Sequence, residues 1–205
     1  MSARLAVLAP TTEPRGVGQR LAGLVLRLMR WRVVGTMPSV PRLVVIVAPH
    51  TSNWDFPVGL ACGYGSGLLS SWPYGFLAKQ SLFRWPLGHV LRALGGIAID
   101  RSAPNAVVDQ MAAVFAGRER FLLSVTPEGT RKRTAFWKSG FYHIARAAGV
   151  PLMPVAFDYG RRECRFGEVI VPTGDVEADL AVLRAFYAGV TPMHPANAGE
   201  IRFRE

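Results

Sequence analysis

The sequence predicts an α/β protein: a single layered domain with a mostly parallel central sheet flanked by helices, preceded by an amphipathic N-terminal helix. Short apolar runs of strand length alternate along the chain with segments of helical periodicity. Polar residues follow directly after several of these runs, as they do at strand ends in open α/β sheets. The 205 residues, half of them hydrophobic, suffice for one domain with a sizeable core. We divide the chain into an N-terminal segment, residues 1–35, and a main domain, residues 36–205.

Residues 16–32 have the periodicity of an amphipathic helix. The apolar positions recur at i, i+3, i+4 and i+7 on one face: Leu21, Leu24, Val25 and Leu28. Three arginines fall on the opposite side: Arg20, Arg27 and Arg30. This pattern is typical of a helix lying in a membrane interface, and equally of a helix packed on its own domain with a solvated basic face. The uncharged stretch 56–78 is long enough to span a bilayer, but glycine, proline and serine interrupt it.

The other elements follow in order along the chain. Apolar runs predict strands at 43–48, 74–78, 97–99, 121–125, 152–157 and 168–171. Helices are predicted from a Ser52 or Asn53 cap to about residue 64, in a short segment ending near 93, and at 104–117, 137–148 and 176–188. The cluster 63–67 is predicted to be a Gly-Ser loop because it matches no phosphate-binding or nucleophile motif.

Charge and cysteine content bound the class of function. The formal net charge is +10, which leaves nucleic acid, an anionic membrane and phosphorylated substrates open as partners. The basic residues are dispersed and no nucleic-acid-binding signature is present, which argues against nucleic acid. Cys62 and Cys164 form no pair of metal-binding spacing and are expected to be two buried thiols in a reducing compartment. The four histidines also lack ligand spacing, so no metal site is predicted.

His50 and Asp55 stand where the chain leaves the first apolar run. Histidine accepts a proton near neutral pH, and a carboxylate orients its ring and stabilises the charged form. Two other runs end in polar groups, at Asp100-Arg101 and at 128–131. Because the ends of parallel strands meet at one sheet edge, we expect a base, a carboxylate and guanidinium groups to converge there. The alternative for His50 and Asp55 is a loop histidine beside a helix-capping aspartate.

Four stretches, taken in order, resemble the motifs of the glycerolipid acyltransferases, the superfamily of the lysophosphatidate acyltransferases. The first is H-x-x-x-x-D, from His50 to Asp55. The second, 96–101, is an apolar strand ending in arginine, and the third is the Pro-Glu-Gly-Thr-Arg sequence at 127–131. The fourth, 150–155, is an apolar strand that carries a proline. The resemblance covers roughly residues 16–171 and is nearest to a small bacterial branch of this superfamily.

The resemblance implies the glycerolipid acyltransferase fold and an enzyme of phospholipid biosynthesis. Such an enzyme moves a fatty acyl group from acyl-CoA or acyl carrier protein to a lysolipid hydroxyl, by default that of 1-acyl-glycerol-3-phosphate. In this reading His50 is the general base and Asp55 holds its tautomer. The substrate-binding candidates are Lys79, Arg101, Glu128, Gly129, Thr130 and Arg131. Glu128 remains open between a carboxylate that shapes the turn and one that contacts the glycerol hydroxyls or Arg101.

Several alternatives remain open at this point. The acceptor could be a lyso-ornithine lipid, a glycolipid or a polyene head group; water in place of the hydroxyl would make a thioesterase. Outside enzymes, the composition fits a basic module that binds nucleic acid or membranes. For the acyltransferase we expect no cofactor besides the acyl donor, and no nucleic acid partner. We expect a peripheral or monotopic position on the cytoplasmic face of a bacterial inner membrane.

Overall fold

A seven-stranded sheet runs through the computed structural model, which describes residues 16–35, 37–99 and 104–204. The strands are β1 Arg32–Gly35, β2 Arg42–Val47, β3 Tyr74–Lys79, β4 Gly96–Ile99, β5 Phe121–Val125, β6 Leu152–Asp158 and β7 Glu163–Phe166. Their order is β1-β7-β6-β2-β5-β3-β4, and every neighbouring pair is parallel except β6 with β7. The predicted α/β fold with a mostly parallel sheet is therefore confirmed.

The described residues form seven helices, six of which pack on the two faces of this sheet. They are α1 Val17–Met29, α2 Asp55–Gly65, α3 Leu68–Ser71, α4 Leu87–Ala93, α5 Pro104–Ala116, α6 Gly140–Ala148 and α7 Val176–Tyr187. Side chains of α5, α6 and α7 share one core with one face of the sheet, and those of α1, α2 and α3 share a second core with the other face. The chain thus forms three layers, as expected when helices connect parallel strands.

Strand β2 supplies side chains to both cores because successive residues of a strand point to opposite faces. Val44 and Ile46 pack under α5 and α6, whereas Leu43 and Val45 pack under α2. All four are at most 4% exposed. A strand buried on both sides reads as a continuous apolar run, which is why the sequence located it within one residue at each end.

The two strands at one edge of the sheet, β1 and β7, differ from the prediction. A strand was expected at 168–171, but β7 lies earlier, and Ile170 forms only an isolated bridge with Leu152. The charged residues Glu163 and Arg165 obscured the apolar pattern of β7, and a tight turn joins it to β6. Strand β1 was missed because four residues directly after a helix give too short a signal.

Three helix predictions also need correction. Helix α6 begins at Gly140 rather than at 137, because Trp137 and Lys138 bond through their backbone N–H groups to loop carbonyls. The Gly-Ser stretch is largely helical, since α2 continues to Gly65 and α3 follows after two residues. No side chain caps α2: the Ser52 hydroxyl instead accepts a hydrogen bond from the Trp54 N–H at 3.1 Å.

The predicted N-terminal helix and the buried thiols are both present. Helix α1 packs on α2 through Ala22 and Leu26, the latter lying against Gly65. Cys62 of α2 and Cys164 of β7 are buried, free thiols. Within the described ranges, no helix combines the length and the apolar character that crossing a membrane requires.

Candidate active site

The polar residues after β2 are held at the end of the central strand by the packing of that strand. Its buried run leads directly into Pro49 and His50, while α2 starts at Asp55. The seven residues between β2 and α2, 48–54, form a short loop at the carboxyl end of β2, with Thr51 and Ser52 buried. This is the edge at which parallel sheets place ligands and reacting groups.

The His50 ring and the Asp55 carboxylate are hydrogen-bonded, with Nδ1 and Oδ2 at 2.9 Å. The His50 side chain is 18% exposed, so one side of the ring can meet a ligand. In the neutral tautomer that donates Nδ1–H to Asp55, the lone pair of Nε2 is available. A hydroxyl group placed against Nε2 can then lose its proton to the ring, and the carboxylate stabilises the resulting imidazolium.

Asp55 is 3% exposed, and both oxygens of its carboxylate accept hydrogen bonds. Besides the His50 ring, Oδ2 accepts the backbone N–H groups of Thr51 at 2.9 Å and Ser52 at 3.0 Å. The other oxygen, Oδ1, accepts the hydroxyl of Tyr159 at 2.7 Å. Burial alone would raise the pKa of Asp55, but the hydrogen bonds from His50, Ser52 and Tyr159 outweigh burial and lower it below its ordinary value. Asp55 is therefore an anion at neutral pH.

Glu128 lies behind the same loop. Its Oε1 accepts the backbone N–H of His50 at 3.1 Å, and the residue is 4% exposed. Oε2 is buried without a hydrogen-bond partner among the described residues. Burial raises the pKa of Glu128 above its ordinary value, although its own backbone N–H and that of His50 oppose the shift. The contact with His50 N–H fits the interpretation of Glu128 as a carboxylate that shapes the loop.

A cavity of about 360 Å³ lies beside the His50 ring, within the range typical of small-molecule sites. Its walls are mostly apolar and include Phe56 and Leu60 of α2, Phe76 of β3 and Phe157 of β6. Its lining also includes the polar residues His50, Asn53, Asp55, Ser124, Thr126 and Arg131. Since Asn53, Phe56 and Arg131 are exposed, the cavity reaches the surface.

The structure brings some of the substrate-binding candidates together. Arg131 lines the cavity with His50, and Gly129 adopts a positive φ of 63° in the turn before it. Lys79 is the exposed last residue of β3, at the same sheet edge, but it does not line the cavity. The exposed Thr130 accepts the Lys132 N–H through its hydroxyl at 3.3 Å. Asp100 and Arg101 lie outside the described residues, so the predicted approach of Arg101 to Glu128 stays a prediction.

Sequence reasoning missed Tyr159, which bonds the second oxygen of Asp55. The residue lies directly after β6, the neighbour of β2 in the sheet. The sequence did contain a signal for Tyr159, because it is a polar aromatic residue that follows an apolar strand, as His50 follows β2. Only the strand order, however, shows that these two strand ends are adjacent.

A family model described as Acyltransferase matches residues 32–158, a segment from β1 to the end of β6. This segment contains the His50–Asp55 pair, Glu128 and Arg131. The chain belongs to the acyltransferase family.

Two curated relatives are named 1-acyl-sn-glycerol-3-phosphate acyltransferase. That of Borreliella burgdorferi is 32% identical over 120 residues, which cover 55% of this chain and 44% of the relative. That of Salmonella typhimurium is 30% identical over 117 residues, covering 54% and 45%. The matched segment thus spans less than half the length of either relative. The crystal structure of PlsC from Thermotoga maritima, a 1-acyl-sn-glycerophosphate acyltransferase, has a similar fold, with a TM-score of 0.55, 20% identity and coverage of 84% and 76%.

We expect Asp55 to contribute stability that is present at neutral pH and lost in acid. Its folded pKa is lowered below the ordinary 3.8, so the unfolded chain binds more protons as the pH falls through that value. The difference in free energy of unfolding between wild type and Asp55→Asn should therefore be constant above about pH 5 and shrink as the pH falls below 3.8. Denaturant titrations at several pH values measure it.

The control is Glu177→Gln, which alters an exposed carboxylate paired with Arg184. We expect its free energy of unfolding to follow wild type at every pH, since exposed ion pairs contribute little. A wild-type advantage over Asp55→Asn that persists unchanged far below pH 3.8 would contradict the assignment of a lowered pKa to Asp55.

Proposed function

We propose that this protein is an O-acyltransferase that moves a fatty acyl group from a thioester to a lysolipid hydroxyl, with His50 as general base and Asp55 as its partner. The observation that carries the proposal is the 2.9 Å contact between His50 and a buried, ionised Asp55 beside an apolar cavity. Family membership and the names of the relatives support the reaction class. The acceptor hydroxyl transfers its proton to Nε2 as its oxygen attacks the thioester carbon; the C–S bond then breaks, and the leaving sulfur takes that proton from the imidazolium to depart as a thiol.

The apolar cavity is the proposed site of the acyl chain. Helix α2 turns Gly59 and Gly63 toward it, and both positions lack the side chain that would narrow the space. A Cβ atom at Gly59 would lie 3.0 Å from Cζ of Phe157, and one at Gly63 would lie 2.6 Å from Leu69. Burial of methylene groups in such a cavity contributes binding free energy roughly in proportion to the apolar area removed from water.

The proposed acceptor is 1-acyl-glycerol-3-phosphate, whose phosphate dianion needs paired positive charge. Arg131 is the best-placed cation because it lines the same cavity as His50. Lys79 at the end of β3 and Arg101 complete the proposed set. The basic chain suits either acidic acyl donor, acyl-CoA or acyl carrier protein. No cofactor beyond the donor enters the proposal.

The exposed face of α1 supports attachment to a membrane surface. Leu21, Leu24 and Leu28 are 60%, 52% and 75% exposed, so this apolar face does not pack on the domain. Arginines on the same helix favour anionic lipid. Large apolar side chains are also exposed near the cavity, at Trp54, Leu82, Trp85, Leu87 and Val90. We propose peripheral or monotopic association with the cytoplasmic face of a bacterial inner membrane.

The base is tested by His50→Ala, which should lower turnover by about 100-fold or more while the protein stays folded. Asp55→Asn should also be severe because it favours the wrong tautomer. Thiol release from the acyl donor is followed with and without lysolipid, and folding is checked by thermal unfolding. The matched control is His143→Ala, an exposed histidine of α6, which should retain full turnover.

Two results separate the candidate functions, and a third tests the role of His50. Thiol release that depends on lysolipid supports the transferase, and release without lysolipid marks a thioesterase. Normal turnover in a folded His50→Ala variant removes His50 from the mechanism.

The phosphate site is tested by Arg131→Ala, with Arg133→Ala as the control from the same loop. Arg131→Ala should raise the Michaelis constant for lysophosphatidate by about 10-fold or more, because it removes a charge-assisted contact. The Michaelis constant for the acyl donor should stay nearly unchanged. Arg133 is exposed and does not line the cavity, so its variant should resemble wild type. Equal wild-type use of acceptors with and without phosphate would point to a lyso-ornithine lipid or another non-phosphate acceptor.

Membrane attachment is tested by changing Leu21, Leu24 and Leu28 together to serine and measuring flotation with anionic vesicles. The loss of apolar burial should reduce the bound fraction strongly, and high salt should weaken wild-type binding without abolishing it. The control changes Val171 and Val182, which are 72% and 50% exposed, to serine. Flotation of the leucine variant at the wild-type level would exclude α1 as the attachment site.

A further inference from the structure

We propose that Tyr159 is a positioning residue for the His50–Asp55 pair, and that Trp31, at the end of the N-terminal helix, holds Tyr159 in place. The proposal rests on the function proposed above and adds a third side chain to it. The Tyr159 hydroxyl donates to Oδ1 of Asp55 at 2.7 Å. The Tyr159 hydroxyl bonds Asp55 and not the His50 ring, so any effect on His50 passes through the Asp55 carboxylate.

The two oxygens of Asp55 have different partners. Oδ2 receives the His50 ring and the N–H groups of Thr51 and Ser52, all from residues within five positions of Asp55. Oδ1 receives Tyr159, which lies 104 residues further along the chain. The terminal torsion of an aspartate side chain is soft, and rotation about its Cβ–Cγ bond moves both oxygens together. The Tyr159 bond at Oδ1 therefore resists the same rotation that would carry Oδ2 away from Nδ1.

The Tyr159 ring is held by Trp31, which lies between α1 and β1. Trp31 meets it edge-to-face, with ring centroids 5.0 Å apart and an interplanar angle of 86°. Trp31 is 8% exposed, and its backbone N–H bonds the carbonyl of Leu26 in α1 at 2.8 Å. The backbone N–H of Tyr159 bonds Thr191 at 2.8 Å. Three contacts, Trp31 to Tyr159, Tyr159 to Asp55 and Asp55 to His50, thus connect the segment after α1 with the proposed base.

The hydroxyl of Tyr159 also affects how strongly Asp55 and the His50 ring hold protons. The titratable groups facing the carboxylate are His50 on the same loop, Glu128 after β5 and Tyr159 after β6, with Cys62 of α2 behind Tyr159. The Tyr159 bond contributes to the lowered pKa of Asp55. Without the Tyr159 hydrogen bond, less of the negative charge of the Asp55 carboxylate is neutralised, so the carboxylate attracts the proton of the His50 ring more strongly. The acidic limb of the pH–rate profile should then move to higher pH.

A second tyrosine–aspartate pair provides a matched control. The Tyr142 hydroxyl donates to Oδ2 of Asp179 at 2.7 Å, and both residues are buried between α6 and α7. This pair lies in the core on the opposite face of the sheet from α2. Removing either hydroxyl deletes the same bond to a buried carboxylate, but only Tyr159→Phe changes a carboxylate that bonds His50.

The kinetic experiment compares wild type, Tyr159→Phe and Tyr142→Phe. Tyr159→Phe should lower kcat about 10-fold, leave both Michaelis constants within about twofold, and move the acidic limb upward by about half a pH unit. Tyr142→Phe should lower thermal stability without moving the pH profile. Trp31→Leu should lower kcat in the same direction by a smaller factor. Equal loss of kcat in the two tyrosine variants, with identical pH profiles, would show that Tyr159 only stabilises the fold and does not position the pair.

A second measurement does not depend on turnover. The pH titration of the His50 ring is followed by nuclear magnetic resonance, with its signals assigned by their loss in His50→Ala. The midpoint should move to higher pH in Tyr159→Phe and stay unchanged in Tyr142→Phe. An unchanged midpoint in Tyr159→Phe overturns the positioning proposal. If the wild-type protein transfers no acyl group but the midpoint moves, the proposed function fails while the coupling of Tyr159 to the pair holds.

Discussion

The burial of the Asp55 carboxylate is the constraint on which the site depends. A charged group that is 3% exposed is costly unless its hydrogen-bonding capacity is satisfied. Here two backbone N–H groups, an imidazole and a phenol supply the donors. Because three of these come from the loop between β2 and α2, the conformation of that loop is tied to the ionised state of one side chain. The same bonds direct the His50 ring toward the cavity.

The order of the strands determines what surrounds this loop. Strand β2 lies between β5 and β6, so the segments that follow those two strands flank the segment that follows β2. One flank supplies Glu128, which accepts the His50 backbone N–H, and the other supplies Tyr159, which bonds Asp55. Polar side chains from three distant parts of the chain meet here because parallel strands end at a common edge.

The two faces of the sheet differ in what they leave exposed. The core under α5, α6 and α7 is closed by large side chains such as Phe115, Phe141 and Tyr187, all at most 6% exposed. The face under α1 and α2 contains the cavity, and the segments around it expose large apolar side chains. These side chains are Trp54, Phe56, Leu82, Trp85, Leu87 and Val90. An apolar rim around an apolar cavity suits a substrate that is itself a lipid.

The sequence by itself determined the elements and contacts that local patterns encode. The apolar runs of β2, β5 and β6 identified strands buried on both faces, and the five-residue spacing of His50 and Asp55 identified a pair that needs no distant partner to meet. The tertiary structure decided the rest. Strand β7 carries charged residues and was misplaced, and Tyr159 had no visible link to Asp55. The physical reason is that periodicity reports which side of an element is buried, whereas strand order depends on contacts between residues far apart in the chain.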